Sequence, residues 1–188
     1  FLDIKKLDKY YCNDGELPGH IDITVSDALD LSTGSLGHGL SVGAGMALAM
    51  KIDNIDNRIV IIMGDGEIDE GSVWEAAMFI SKENLKNILI FIDCNGLQGY
   101  DRTEDIFKFE KNKNMWEALE FEVIEIDGHN FEEIEKVYKY KNDRPIVVLA
   151  KTIKGKGISF MEDKLEWHYK SPNLEEFKKG IKELEENE

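Results

Sequence analysis

The stretch "IVIIMGDGEIDEG", residues 59–71, decides how the rest of the chain is read. A β-branched run apolar on both faces stops abruptly at Gly64-Asp65-Gly66. Such runs suit strands of a parallel sheet covered on both sides, so Arg58 to Met63 is predicted as a strand. The stretch "ILIFIDCNGLQG", residues 88–99, repeats the pattern: Ile88 to Asp93 is continuously apolar, then oxygen-bearing residues follow. Between the two runs, Glu70 to Lys82 has helical period, with Val73, Trp74, Ala77, Met78 and Phe79 as its apolar stripe. Strand, helix and strand make a right-handed βαβ unit.

Working outward, "GSLGHGLSVGAGMALAMK" opens Gly-rich. Leu36, Leu40, Ala44, Ala47 and Leu48 then recur at helical spacing, predicting a helix over 36–52. Its glycines and alanines suggest close packing against another helix or chain. Phe121–Ile126 and Ile146–Thr152 read as further strands. A helix over Phe131–Lys139 lies between them, started by the Asp127-Gly128-His129-Asn130 turn. Residues 1–31 have no clear period and read as loop with one short helix. Residues 174–188 read as an acidic, solvated C-terminal helix. The fold class expected is α/β: one doubly wound domain over 1–188, with a mostly parallel sheet and helices on both faces. Phe1 replaces the usual Met, so a fragment or processed product is expected, with a segment missing upstream.

The formal net charge of −15 argues against nucleic acid or an anionic membrane as a partner. No apolar run reaches the length of a membrane span. Cys12 and Cys94 are too few for a disulfide framework, which suits a reducing cytoplasm.

Ligands of open parallel sheets bind beyond the carboxyl ends of the strands. Asp65 and Asn95 both stand at such ends, 95 − 65 = 30 residues apart, one crossover. If the strands are neighbours, both side-chain oxygens converge. A carboxylate, an amide oxygen and a backbone carbonyl are hard ligands that suit Mg²⁺ or Ca²⁺ and not zinc. One carboxylate leaves room for phosphate ligands. Gly64 and Gly66 would let a ligand approach where a Cβ would obstruct it. Alone, Gly-Asp-Gly is also a common turn; the pairing with Asn95 after a second buried run is what argues for a site.

Gly64-Asp65-Gly66 followed by Asn95 resembles the thiamine diphosphate motif. "STGSLGHGLSVGAGMALAMK", "GDGEIDEGSVWEAAMF", "DCNGLQG", "DGHNFEEI" and "TIKGKGISFMED…EWHYKSPN" resemble transketolase, more narrowly the amino-terminal subunit of split transketolases. The match runs from Gly19 to Asn173. The resemblance implies that Asp65, Asn95 and the Leu97 carbonyl ligate Mg²⁺ (or Ca²⁺), which bridges the cofactor's two phosphates. Gly66 and Glu67 would lie beside the diphosphate, with Gly64 in the same motif. Gly34 and Leu36 would line the aminopyrimidine and thiazolium. His20 would contact the donor substrate, and His168 would stand near the diphosphate and the reaction centre. Glu70 would lie at a subunit interface. Without the family, His20 and His168 also read as structural histidines, His129 as part of a helix start, and Lys154 and Lys156 as a solvated loop.

The implied reaction is transfer of a two-carbon ketol unit from a ketose phosphate to an aldose phosphate. A deoxyxylulose-phosphate synthase-like enzyme and a non-catalytic partner-binding remnant are the alternatives. The glutamate that activates the cofactor belongs to a pyrimidine-binding domain with no match here, nor has the family's first segment one. A pyrimidine-domain (C-terminal) transketolase chain is therefore the expected partner, in a heterotetramer, with Ala47 and Met78 on the shared surface. "GHID" in place of the usual G-H-P-E, His38 in place of Gln, and the loop "LQGYDRT" depart from the family pattern and bear on substrate detail.

Overall fold

The computed structural model describes residues 4–27, 29–107 and 109–186, without the side chains of 109–111. The two apolar runs form strands β1 (Ile59–Gly64) and β2 (Ile88–Cys94), paired in parallel with Gly64 opposite Asp93. Helix α1 (His38–Ile52) precedes them and α2 (Gly71–Lys82) connects them. Two helices at α3 (Thr103–Ile106) and α4 (Phe109–Ala118) follow, in a stretch the periodicity left unassigned. Then come β3 (Glu122–Asp127), α5 (Phe131–Lys139), β4 (Ile146–Lys151) and α6 (Leu174–Glu186). The sheet order is β1-β2-β4-β3, and every pairing is parallel. The expected strands and long helices are all present, with ends displaced by a residue or two.

One face of the sheet carries the main core. Leu40, Ala44 and Ala47 of α1, Val73, Ala77 and Ile80 of α2 and Trp116 of α4 pack there on Ile61, Met63, Ile90 and Ile92. Trp116 sits between Trp74 and Phe121, with ring centroids 4.9 and 5.0 Å away. On the second face, Val137 and Ile134 of α5 pack with Ile126, Ile146 and Val148.

That second face corrects one expectation. β1 is apolar on both sides but covered on only one: Ile62 is 76% and Val60 41% exposed. β1 is an edge strand, and α5 lies over the opposite half of the sheet, so an apolar groove stays open beside Val60, Ile62 and Phe91.

The small residues of α1 serve its own domain. A Cβ on Gly43 would meet Ile61 Cδ1 at 2.5 Å, so the helix lies directly on β1. Ala47 is fully buried in the core and cannot face another chain, contrary to expectation; Met78 is 53% exposed and can. The helix starts at His38 rather than at residue 36, because Gly37 turns the chain at a φ of 80° and leaves Leu36 exposed before it.

Candidate active site

The parallel register sets Asp65 beside the end of β2, and the Asp65 N–H donates to the Asp93 carbonyl at 3.2 Å. The Asp65 side chain is 3% exposed. Its Oδ2 accepts from the Gly96 N–H at 2.9 Å and from the Thr103 hydroxyl at 2.7 Å. Among the described residues no lysine or arginine forms an ion pair with it. Burial pushes its carboxyl above the usual carboxylate range, with a further push from the Asp93 charge. The hydrogen bonds from Thr103, Gly96 and Gly66 pull the other way. The net result is a buried carboxyl group for which the described residues supply no cation.

Asn95 stands at the adjoining strand end. Its Nδ2 donates to Asp93 Oδ2 and its Oδ1 accepts from the Leu97 N–H, both at 3.0 Å. The loop then turns back on itself, with Gln98 N–H donating to the Asp101 carbonyl at 2.9 Å and Leu97 bridging to Arg102. Gly96 sits at a φ of 74°, a left-handed conformation that favours glycine. Gly64 and Gly66 are different. A Cβ on Gly64 would meet nothing within 4 Å, and one on Gly66 would only touch Gln98 at 3.4 Å. Packing within the chain demands neither glycine.

A second group of expected residues assembles one turn away. Glu67 Oε1 accepts from the Gly37 N–H at 2.9 Å, and Ser72 Oγ donates to the Gly37 carbonyl at 3.2 Å. A Cβ on Gly37 would lie 2.9 Å from Glu70 Cβ, so the Gly34–Gly37 segment rests directly on the turn that follows Asp65. Gly34 has a φ of 126° and lies against the His20 ring, where an added Cβ would be 2.6 Å from Cδ2. His20, Gly34, Leu36, Glu67 and Glu70 thus border one rim.

His168 comes from a distant short helical turn, Leu165–His168. A Cβ on Gly99 would lie 3.6 Å from its Nε2, which sets the ring beside the loop that carries Asn95 and Leu97. Burial, then the Lys154 charge, hold its pKa below the usual histidine value, against the opposing pull of Asp65. His168 is therefore biased toward the neutral imidazole within reach of the Asp65 field.

Several partners were not legible beforehand. Thr103 lies in an unassigned stretch with no periodicity to mark it. Thr152 donates its hydroxyl to Asp93 Oδ1, tying the end of β4 to that of β2. His129 does more than start a helix: Asn130 caps α5, while His129 Nε2 accepts from the Ile153 N–H at 2.8 Å and anchors the loop carrying Lys154.

The family model described as the transketolase thiamine diphosphate binding domain matches residues 1–184. The chain belongs to the transketolase family. It is 39% identical over 173 residues to an apulose-4-phosphate transketolase subunit of Phocaeicola vulgatus, covering 90% of this chain and 61% of that subunit. A 6-deoxy-6-sulfo-D-fructose transketolase subunit of a Clostridium species is 42% identical over 172 residues, covering 90% of this chain and 62% of that one. The transketolase structure from Campylobacter jejuni superposes with a TM-score of 0.88 at 28% identity, covering 98% of this chain and 30% of that one. The chain thus spans about three fifths of the length of these transketolase subunits.

Asp65, Asn95 and Leu97 therefore stand at the ends of neighbouring strands in a thiamine diphosphate-binding domain. The residues fit a hard divalent cation on their own evidence. Each carries an oxygen of the kind a hard divalent cation takes, and the buried Asp65 carboxyl has no ion-pair partner among the described residues.

Proposed function

We propose that this chain supplies the metal and diphosphate half of a thiamine diphosphate site, in a two-chain transketolase that moves a two-carbon ketol unit between sugar phosphates. The observation that carries the reading is Asp65, buried beside Asn95 with no cationic partner among the described residues, in a chain of this family. Asp65, the Asn95 oxygen and the Leu97 carbonyl would hold Mg²⁺ or Ca²⁺. Thiamine diphosphate, held there, would supply the nucleophilic carbon and the electron sink that ketol transfer needs. The turn from Gly64 to Glu67 leaves room for the diphosphate, with Glu67 fixed by the Gly37 N–H. Neutral His168 offers a nitrogen lone pair near that end of the site, and His20 borders the rim where a donor sugar would enter. Glu70 and the exposed side of α2 would face the partner.

The named relatives support this reading over a deoxyxylulose-phosphate synthase-like enzyme, since both are transketolase subunits. Being subunits, they also imply a second chain, for which a pyrimidine-domain chain in a heterotetramer is proposed. Among the described residues no helix is long and apolar enough to cross a membrane. A cytoplasmic location is part of the same proposal.

The deciding experiment is calorimetry of Mg²⁺-dependent thiamine diphosphate binding, with the partner chain present. Asp65→Ala should weaken it about 100-fold or more, in line with losing a metal ligand and a buried hydrogen-bonded charge. Unchanged affinity would sink the assignment. The purified chain alone should not turn over ketose phosphate, and Met78→Glu should weaken association with the partner in sedimentation. Turnover without a partner, or unaltered association, would count against the two-chain reading.

A further inference from the structure

The reading of Asp65 and Asn95 as metal ligands leaves one carboxylate at the same strand ends without a role. Asp93 stands at the end of β2 on the face of Phe91, beside the open groove, and lies opposite Gly64 in the register. It does not point away from the site. Its Oδ2 accepts from Asn95 Nδ2 at 3.0 Å, while its Oδ1 accepts from the Thr152 hydroxyl just beyond β4. The Thr152 backbone is fixed in turn, its N–H donating to the Cys94 carbonyl at 3.3 Å.

This chain of contacts matters because an asparagine amide has two ends of similar shape and opposite chemistry. Its oxygen can ligate a cation; its NH₂ group cannot. A carboxylate is an acceptor only, so it can hold the nitrogen end and not the oxygen end. At the other end, Oδ1 takes the Leu97 N–H at 3.0 Å with one lone pair and keeps the second. Resting on the metal-site reading above, we infer that Asp93, steadied by Thr152, is a positioning residue that sorts the Asn95 amide so that its oxygen faces the metal. In this role the Asp93 carboxylate holds the amide nitrogen rather than the metal, one oxygen accepting from Asn95 and the other from Thr152.

An aspartate at position 95 would need no sorting, since its two oxygens are equivalent. That gives a test which separates orientation from fold and from charge. Mn²⁺ serves as the probe: free ion is followed by electron paramagnetic resonance, with saturating thiamine diphosphate and the pyrimidine-domain partner present. Asp93→Asn should weaken Mn²⁺ about tenfold or more, the usual scale for a lost orienting partner. In an Asn95→Asp background the same change should produce no loss. If Asp93→Asn is silent in the Asn95 protein, or costs the same in both backgrounds, the inference is overturned. Should Asp93→Asn fail to fold, Thr152→Val carries the test. It should weaken Mn²⁺ several-fold, Thr152→Ser should restore it, and no loss with Thr152→Val would overturn the inference. Asp65→Ala in the same assay tests the metal-site reading separately: if it abolishes Mn²⁺ binding while Asp93→Asn is silent, only the role of Asp93 falls.

Discussion

Two carboxylates near the carboxyl end of the same sheet have opposite surroundings. On the β1–β2 side, Asp65 is buried, accepts from Gly96 and Thr103, and has no ammonium or guanidinium partner among the described residues. On the β3–β4 side, Glu125 is exposed and lies between Lys113 at 2.6 Å and Lys151 at 2.9 Å. The Lys113 and Lys151 ammonium groups hold the Glu125 carboxyl down at about 2, while burial holds Asp65 up. The sheet thus neutralises one acid with its own lysines and leaves the other bare. A buried charge without a partner destabilises the fold, so its presence at Asp65 points to a ligand that brings the charge. The contrast separates a structural ion pair from a site.

The largest way to break this contrast is to supply the missing charge. With the partner chain present, Mg²⁺ and thiamine diphosphate at about 100 times the dissociation constant should stabilise the native protein by about 2.7 kcal/mol. Asp65→Asn, which keeps an oxygen for Gly96 and Thr103, should gain nothing measurable. Equal gains in thermal melting for the two proteins would mean that Asp65 is not where the charge is needed.

A smaller effect should appear without ligand. Because the folded pKa of Asp65 is raised above its usual 3.8, the folded chain binds more protons than the unfolded one between those two values. This group's contribution to stability therefore falls as pH rises through that window and stays low at neutral pH. Asp65→Asn removes the penalty. In metal-free buffer at pH 7 the variant should melt a few degrees above the native chain, and the two should converge as the pH drops below 3.8. A variant that melts lower at neutral pH would show that the ionised carboxylate is already satisfied by the chain.

How much of this was legible follows from the physics of each part. The βαβ unit was, because long apolar runs and a clear helical stripe leave few alternatives. So was Asp65 with Asn95, since one crossover fixes them at neighbouring strand ends. The edge position of β1 was not: an apolar run reads the same whether or not a helix covers its second face, and here Ile62 is uncovered. Nor was the fate of Ala47, since small residues signal close approach without naming what approaches. Thr103, Thr152 and His129 reach the site through contacts distant in sequence, which no local period records. Of the family-implied residues, the structure brings His168 to the Asn95 loop and His20 to Gly34, a convergence that spacing alone did not contain.

The smallest effect tests why the contrast persists. Lys151 borders the same small cavity as Asp65, Thr103 and Cys94, yet its ammonium is held by Glu125. Cys94 sits within the fields of four charged groups: burial with the charges of Asp65, Asp93 and Glu125 pushes its thiol up to about 12 against Lys151. Glu125 thus keeps a nearby lysine from neutralising the bare carboxylate. Glu125→Gln should cost the fold less than about 1 kcal/mol, because the pair is partly exposed and screened by salt. The loss should show above the usual carboxylate pKa of 4.5 and fade as pH falls toward 2, since a depressed carboxyl stabilises only while it is ionised. The same change frees Lys151 to swing toward Asp65, where it competes with the divalent ion. Mg²⁺ affinity should drop a few-fold, and Lys151→Met in the Glu125→Gln protein should restore it. If Glu125→Gln lowers stability but leaves Mg²⁺ affinity untouched, the two carboxylates are independent, and the lysine between them has no part in keeping Asp65 bare.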